Sequence, residues 1–384
     1  MTAAPAREYL SAVTADTSFI EFLNSGLDAA AAHVADMTAA PPDEWEAWLG
    51  RQPEALTWHF CTALLERAHA ALDRDPRHAL ALTTFVLAHA ADVEVPADAD
   101  FVRGRLQGRA WKEHGNALRT LVDNHAALEA FRRAADLFRA DPLARVEQVA
   151  AERGVALVLA DLGQPHEALA ILRAGAEELR LHRDRPGVVR SQLYEGAVLY
   201  HLLRYEEAAA VWERALETAN ELGDEKTAAR LHNNLGSCAR LLQDRAASIR
   251  HLLHAQTFFE THGMVTERGR AAEGLAELVA DAGDVERAIA EMEAVRSAWL
   301  GQGLEMDAAG VELDIMELLV LAGRGGEVSA RVASLVERFA DAGVVREAMR
   351  ACALLQDDEA QRALTPEQKR SVAAAVKKVR DARA

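Results

Sequence analysis

Apolar residues recur every three to four positions through most of the chain, in stretches of helical length separated by short polar corners. Arg190–Leu203 carries Leu193, Ala197, Tyr200 and Leu203, an i, i+4, i+7, i+10 series that predicts one buried helix face. Beyond an Arg204–Tyr205 corner, Ala208, Val211, Trp212, Ala215, Leu216 and Ala219 repeat the pattern. Gly223 then ends the second helix, as a residue free to take positive φ does. The next stretches run from Thr227 to Gly263 and from Thr266 to Gly303 in the same way. No alternating β-branched run of strand length interrupts them, so the expected class is all-α.

The pattern has a fixed period. A small residue just inside the second helix falls at Ala127, Ala168, Ala208, Ser248, Ala288 and Val328, at spacings of 41, 40, 40, 40 and 40. The corner five residues earlier falls at Val122, Gly163, Leu203, Gln243, Gly283 and Gly323. A second turn recurs at Gly223, Gly263, Gly303 and Gly343. Three markers with one period define a tandem repeat of two helices, each of roughly 16–18 residues and about 25 Å. A lone helical hairpin cannot bury its apolar face, whereas stacked hairpins can, so the expected architecture is a solenoid.

These units resemble the tetratricopeptide repeat, in a long form. Trp111-Lys112-Glu113-His114-Gly115-Asn116, followed by Ala127, Phe131 and Ala134, places bulky, small and aromatic residues at the spacing of that family. Leu193, Gly196, Leu199, Tyr205, Ala208, Trp212 and Ala215 do so again, and Leu231-His232-Asn233-Asn234-Leu235-Gly236 looks like the first helix of long-repeat members. Ser248 and Val328 depart from the usual alanine, and no unit ends in the family's proline. The resemblance implies a right-handed α-α superhelix with helical N- and C-terminal caps. It also implies a non-enzymatic role in binding proteins or peptides, as in bacterial peptide-sensing regulators and the modules fused to caspase-like CHAT peptidases. The expected division is an irregular cap with a degenerate repeat (1–100), six hairpins (101–343) and C-terminal capping helices (344–384).

The ends fit the period poorly. Met37–Asp43, with Pro41 and Pro42, reads as a break, and Glu54–Leu72 with Pro76–Asp92 reads as an irregular hairpin opened by Asp75-Pro76. Val95-Pro96-Ala97-Asp98 separates it from the regular array. Trp45, Trp48 and Trp58 suit either a cover over the end of the stack or a docking patch. The tail, with Lys369, Arg370, Lys377, Lys378, Arg380 and Arg383, reads as a polar capping helix. The first residues lack a basic segment followed by an apolar one, and no apolar run is long enough to span a bilayer, so a cytoplasmic protein is expected. Cys61, Cys238 and Cys352 stand far apart in apolar helical settings and read as buried small hydrophobes.

Charge narrows the function. Charged residues make up 27% of the chain and the formal net charge is −17, which opposes nucleic acid as a partner because phosphate neutralisation needs clustered cations. No constellation for catalysis stands at familiar spacing, and no cofactor or metal is expected. His251, His254 and His262 lie close together without a carboxylate or cysteine to complete a ligand set. The first helix of each unit is expected to line a concave groove. One phase of it gives Arg109, Arg190, Arg230 and Arg270; the next gives Lys112, Arg153, Leu193, Asn233 and Glu273. A third gives Asn116, Leu157, Ala197, Ser237 and Glu277, with Arg119, Tyr200 and Arg240 beyond. Lys112 with Asn116 resembles part of the clamp by which some tetratricopeptide proteins hold a peptide carboxylate; Gly154 and Tyr194 stand where its other members would be. Asn233 and Asn234 offer both donor and acceptor to a peptide backbone. The expected site is therefore a basic, amide-rich trough of Arg109, Lys112, Asn116, Arg153, Arg190, Tyr200, Arg230, Asn233, Asn234 and Arg240, suited to an extended acidic segment. It turns acidic at Glu273, Glu277, Asp281 and Glu317. The arginines could instead pair with carboxylates inside the array.

Overall fold

The computed structural model describes residues 27–72, 75–95, 100–341, 345–354 and 372–374. The leading residues, Pro96–Asp98, Gly343 and the basic residues of the tail lie outside the described residues. Every element described is helical. The chain packs as two units, residues 1–155 and 156–384, and the division falls inside one helix.

The described part of unit 1 opens with α1 (Leu27–Met37), α2 (Trp45–Arg51), α3 (Trp58–Ala71) and α4 (Pro76–His89). A 3-10 turn at Pro42–Glu44 fills the expected break before α2. Thr57 and Asp75 cap α3 and α4 with their side chains, and Pro76 takes the first helical position of α4, where its missing N–H costs nothing. Trp45 and Trp48 are buried in this core with Phe60, Leu64 and Leu82, and Trp58 packs at its edge. Trp48 stacks on Phe60 and donates Nε1–H to Asp36 at 2.8 Å. These two indoles are therefore core, not a docking patch. α5 (Asp100–Thr120) and α6 (Asn124–Arg139) follow, then the first part of α7 (Arg145–Asp161). Phe131 of α6 presses between α5 and α7, on Gly115 and Gly154; a Cβ on Gly154 would stand 2.4 Å from its ring.

Unit 2 holds the regular hairpins: α8 (Pro165–Leu181), α9 (Arg185–His201), α10 (Tyr205–Leu222), α11 (Glu225–Leu241), α12 (Arg245–Thr261), α13 (Val265–Asp281), α14 (Val285–Leu300), α15 (Glu305–Leu321) and α16 (Ser329–Asp341). α17 (Val345–Leu354) packs on α15 and α16. We call the odd-numbered helices from α5 to α15 the A helices and their partners the B helices. Starts at Arg185, Glu225, Val265 and Glu305 are 40 residues apart, as the sequence period requires.

The corners explain the period. Val122, Gly163, Leu203, Gln243, Gly283 and Gly323 all have positive φ, as do Arg183, Gly223, Gly263 and Gly303 at the alternate turns. At Gly223, its own N–H donates to Asn220 O (3.1 Å) and that of Asp224 to Ala219 O (3.0 Å), which satisfies the last carbonyls of α10. The Asp224 carboxylate then accepts from Thr227 N–H and caps α11. One aspartate thus closes one helix and opens the next; Asp123, Asp184, Asp244 and Asp284 do the same. A link this short forces antiparallel neighbours, and the marker positions Ala127, Ala168, Ala208, Ser248, Ala288 and Val328 are each 0% exposed where the helices meet. Ser248 stands in for alanine because its hydroxyl donates to Gly236 O at 2.7 Å.

Two positions carry two readings each, and the structure decides between them. Leu203, read both as a corner and as the last residue of an apolar face, is the corner and is 71% exposed. Leu193, read both as part of that face and as groove-lining, is buried. Its carbonyl receives the Trp212 indole N–H at 2.9 Å, so this part of α9 belongs to the hairpin interior.

Candidate functional site

All ten expected groove residues lie on A helices, α5, α7, α9 and α11. In unit 1, Glu113 on α5 is 4% exposed and gathers three donors. His69 lies at 3.0 Å, Lys112 Nζ at 2.8 Å and Asn116 Nδ2 at 3.0 Å. Burial alone would push this carboxyl up, but the His69 hydrogen bond, the Lys112 charge and the Asn116 amide together hold it at about 2. The two clamp-like residues, Lys112 and Asn116, are therefore turned onto an internal carboxylate. Arg109 pairs with Glu66 at 3.4 Å, and Arg153 sits half-buried on α7.

In unit 2 the charges of the A helices form rungs between successive repeats. Arg230 of α11 pairs with Glu267 of α13 at 2.5 Å, and Arg270 of α13 with Asp307 of α15 at 3.2 Å. Both pairs join residues 37 apart. Arg240, also on α11, meets Glu277 at 3.0 Å and Asp281 at 3.1 Å. Arg350 of α17 closes the series on Asp314 and on Glu317, the latter at 2.8 Å. Most of the arginine row is thus neutralised by the next repeat. The acidic end is crowded enough to hold protons: burial and a hydrogen bond with Asp314 raise the Glu273 carboxyl well above its ordinary value. Burial also raises Glu277 to about 7, with Asp314 and Asp281 adding to the effect and Arg240 opposing it.

Arg190 breaks the series. The position 37 residues on is Thr227, which has no charge, and Arg190 is exposed with no ion-pair partner among the described residues. On the neighbouring A helix, Asn233 Oδ1 is buried with no hydrogen-bond partner among the described residues, and Asn234 beside it is half-buried. α9 and α11 pack directly on one another, so these groups share one stretch of the A-helix surface. Tyr200 lies at the far end of α9, half-buried against Tyr205 (5.4 Å between ring centres) and Trp212 (6.1 Å). Burial raises its hydroxyl above the ordinary value, with the Glu277 charge adding and Arg240 opposing.

The histidines regroup. His232, which sequence proximity does not bring to the others, meets His251 with 2.8 Å between Nδ1 atoms and lies 4.1 Å from His254 between ring centres. Burial, then the charges of His254 and His251, lower His232 to about 4. His262 is elsewhere, stacked on Phe258. Among the described residues no group of histidine, cysteine or carboxylate side chains could hold a metal ion. Cys61 and Cys238 are buried and their thiols are pushed up by burial to about 12 and about 11; Cys352 is half-buried. Among the described residues, no helix is long and apolar enough to cross a membrane.

No protein-family model and no curated protein sequence matches the chain. Solved structures do match its fold. A Rap protein complexed with Competence and Sporulation Factor is 13% identical, with a TM-score of 0.52 over 85% of this chain and 99% of that one. The Rap conjugation gene regulator of the plasmid pLS20, in complex with the Phr* peptide, is 12% identical, with a TM-score of 0.51 over 80% of this chain and 98% of that one. Likeness at such identity is likeness of fold. Tandem helical hairpins, a repeating αL corner and small residues under large ones make this an all-α protein of the tetratricopeptide-like helical-repeat fold.

Proposed function

We propose that the protein is a non-enzymatic scaffold that binds an extended peptide or protein segment on the A-helix face of its hairpins. The observation that carries this reading is the break in the charge ladder. Arg230, Arg240 and Arg270 each have a carboxylate on the next repeat, whereas Arg190 has the uncharged Thr227 at the corresponding position and keeps a free guanidinium among the described residues. One helix on, the Asn233 side-chain amide oxygen is buried and unpartnered among the described residues. A guanidinium without a carboxylate and an amide oxygen without a donor complement a ligand carboxylate and a backbone N–H. Asn234 and Arg230 on α11, and Tyr200 and Arg240 further along the two helices, would extend this surface, the arginines contributing by exchanging an internal carboxylate for the ligand's. On unit 1, a ligand carboxylate at Arg109, Lys112, Asn116 or Arg153 would have to compete with Glu66 and Glu113. The partner is therefore an acidic or partly acidic segment, and binding weakens as salt rises.

A second reading makes the same groove a sensor that controls a separate effector, a transcription regulator or a CHAT-like peptidase. It is favoured by the pLS20 protein, a conjugation gene regulator whose structure is a peptide complex. Affinity capture with wild-type and Arg190→Glu chains, read by mass spectrometry, tests the groove: equal recovery of every partner by both chains refutes it. Solution scattering with the captured segment separates the readings, because an unchanged radius of gyration rejects the sensor.

A further inference from the structure

A second groove opens in unit 2 on the B-helix side, between α12 and α14 and over α13. Its volume is about 680 Å³, within the range of ligand sites. Ala272, Leu275 and Val279 form the floor, and Ile249 and Val295 form the walls. From Arg268 to Val279 the floor runs about 17 Å at the helical rise. That is the length of about five residues of extended chain.

The groove contains a donor that the protein does not satisfy. Trp299 is 3% exposed and lines the groove, yet its Nε1–H has no partner among the described residues. The indole lies over Gly269, where a Cβ would stand 2.6 Å from Nε1. The same packing occurs at Trp212 over Gly196, and there the indole donates to Leu193 O, three residues before the glycine, at 2.9 Å. At Trp299 the corresponding carbonyl, that of Thr266, does not receive the indole N–H. A buried N–H without an acceptor costs about 1–3 kcal/mol, a cost that a ligand's acceptor would relieve once the indole tilts off Gly269 toward the groove.

The polar groups show what kind of acceptor. Trp299, Arg268, Gln256 and Glu260 surround the end of the groove at the start of α13, where donors and acceptors are mixed. An amide, which carries both, fits that end, whereas a fatty carboxylate would meet Glu260. At the opposite end Arg287 is occupied by Glu291 at 2.8 Å, and Arg245 has no ion-pair partner among the described residues, so that end is cationic. We propose that this groove binds an extended protein segment of about five residues, with apolar side chains over Leu275 and Ile249, a backbone carbonyl on Trp299 Nε1–H and an acidic residue at Arg245. The site is separate from the A-helix groove and does not depend on it.

The test is an NMR titration of the full chain with ¹⁵N-labelled tryptophan, in which Trp299→Phe assigns one of the six indole signals. The probes are two acetylated, amidated pentapeptides, Asp-Val-Leu-Val-Gly and Gly-Val-Leu-Val-Asp, because either chain direction places the acid at Arg245. The Trp299 indole proton is expected to move downfield and saturate with one of them. Arg245→Glu should weaken that affinity about tenfold, the effect of about 1.4 kcal/mol, and Arg190→Glu should leave it unchanged. The proposal is overturned if neither peptide moves the Trp299 signal at millimolar concentration, or if Arg245→Glu titrates like wild type.

Discussion

Gly196→Ala and Gly310→Ala are the same chemical change in the middle of A helices, and they should have opposite signs. Alanine is the better helix former by about 1 kcal/mol, which alone would stabilise both. Around Gly310 nothing lies within 4 Å of the added Cβ, so that gain should appear in full. At Gly196 the Cβ would stand 2.3 Å from Trp212 Nε1 and 2.5 Å from Cε2. The indole is 2% exposed and cannot swing into solvent without opening the hairpin. Overpacking a core in this way costs about 1–3 kcal/mol, and losing the bond to Leu193 O leaves a buried N–H worth a further 1–3 kcal/mol or so. Subtracting the propensity gain leaves a loss of about 1–5 kcal/mol, centred near 3. With a urea m-value of about 3 kcal/mol/M, the midpoint falls by about 1 M. Urea unfolding followed by circular dichroism and tryptophan fluorescence measures both variants. If Gly196→Ala matches or exceeds wild type, close helix approach under Trp212 is not what holds this hairpin.

Leu203→Gly should stabilise by about 0.5–1 kcal/mol, seen as a higher melting temperature; it relieves a left-handed backbone that disfavours side chains, at an exposed position where little burial is lost. Glu113 has its carboxyl lowered to about 2, so its stabilisation is complete above about pH 4.5 and is lost as pH falls through 2. Glu113→Gln should therefore flatten the acid limb of a stability–pH curve, with a loss on the order of 3 kcal/mol at pH 7; an unaltered acid limb refutes this. Glu277 has the opposite sign: raised to about 7, its protonated form favours the fold at low pH and that benefit is lost as pH rises through 7. Glu277→Gln should stabilise at pH 8 by about 1–2 kcal/mol, discounted for partial solvent screening, and change little at pH 4; equal effects at both values would contradict the assignment.

The corners were legible because one residue in each must take positive φ and the next must cap, a requirement the chain repeats as local sequence. The groove was only half legible. Phase along the A helices marked Arg190, Arg230 and Arg240 alike, but whether each is free depends on the residue 37 positions later: glutamate for Arg230 and Arg240, threonine for Arg190. That pairing rule is written in the sequence, but it becomes readable only once the stacking is known. Glu113, which occupies Lys112 and Asn116, reads from sequence as an ordinary helical glutamate. His232 joins His251 only across a hairpin, and nothing local distinguishes Trp299 from Trp212.

The sequence by itself determined the period, the helix ends, the turn residues and the small positions where helices touch, because these are set by backbone geometry within a few residues. The tertiary structure alone decided which arginines are neutralised, which glycine lies under an indole and which polar atoms are left buried without partners. Those outcomes depend on side chains tens of residues apart meeting at ångström distances, and a shift smaller than one hydrogen-bond length changes the answer.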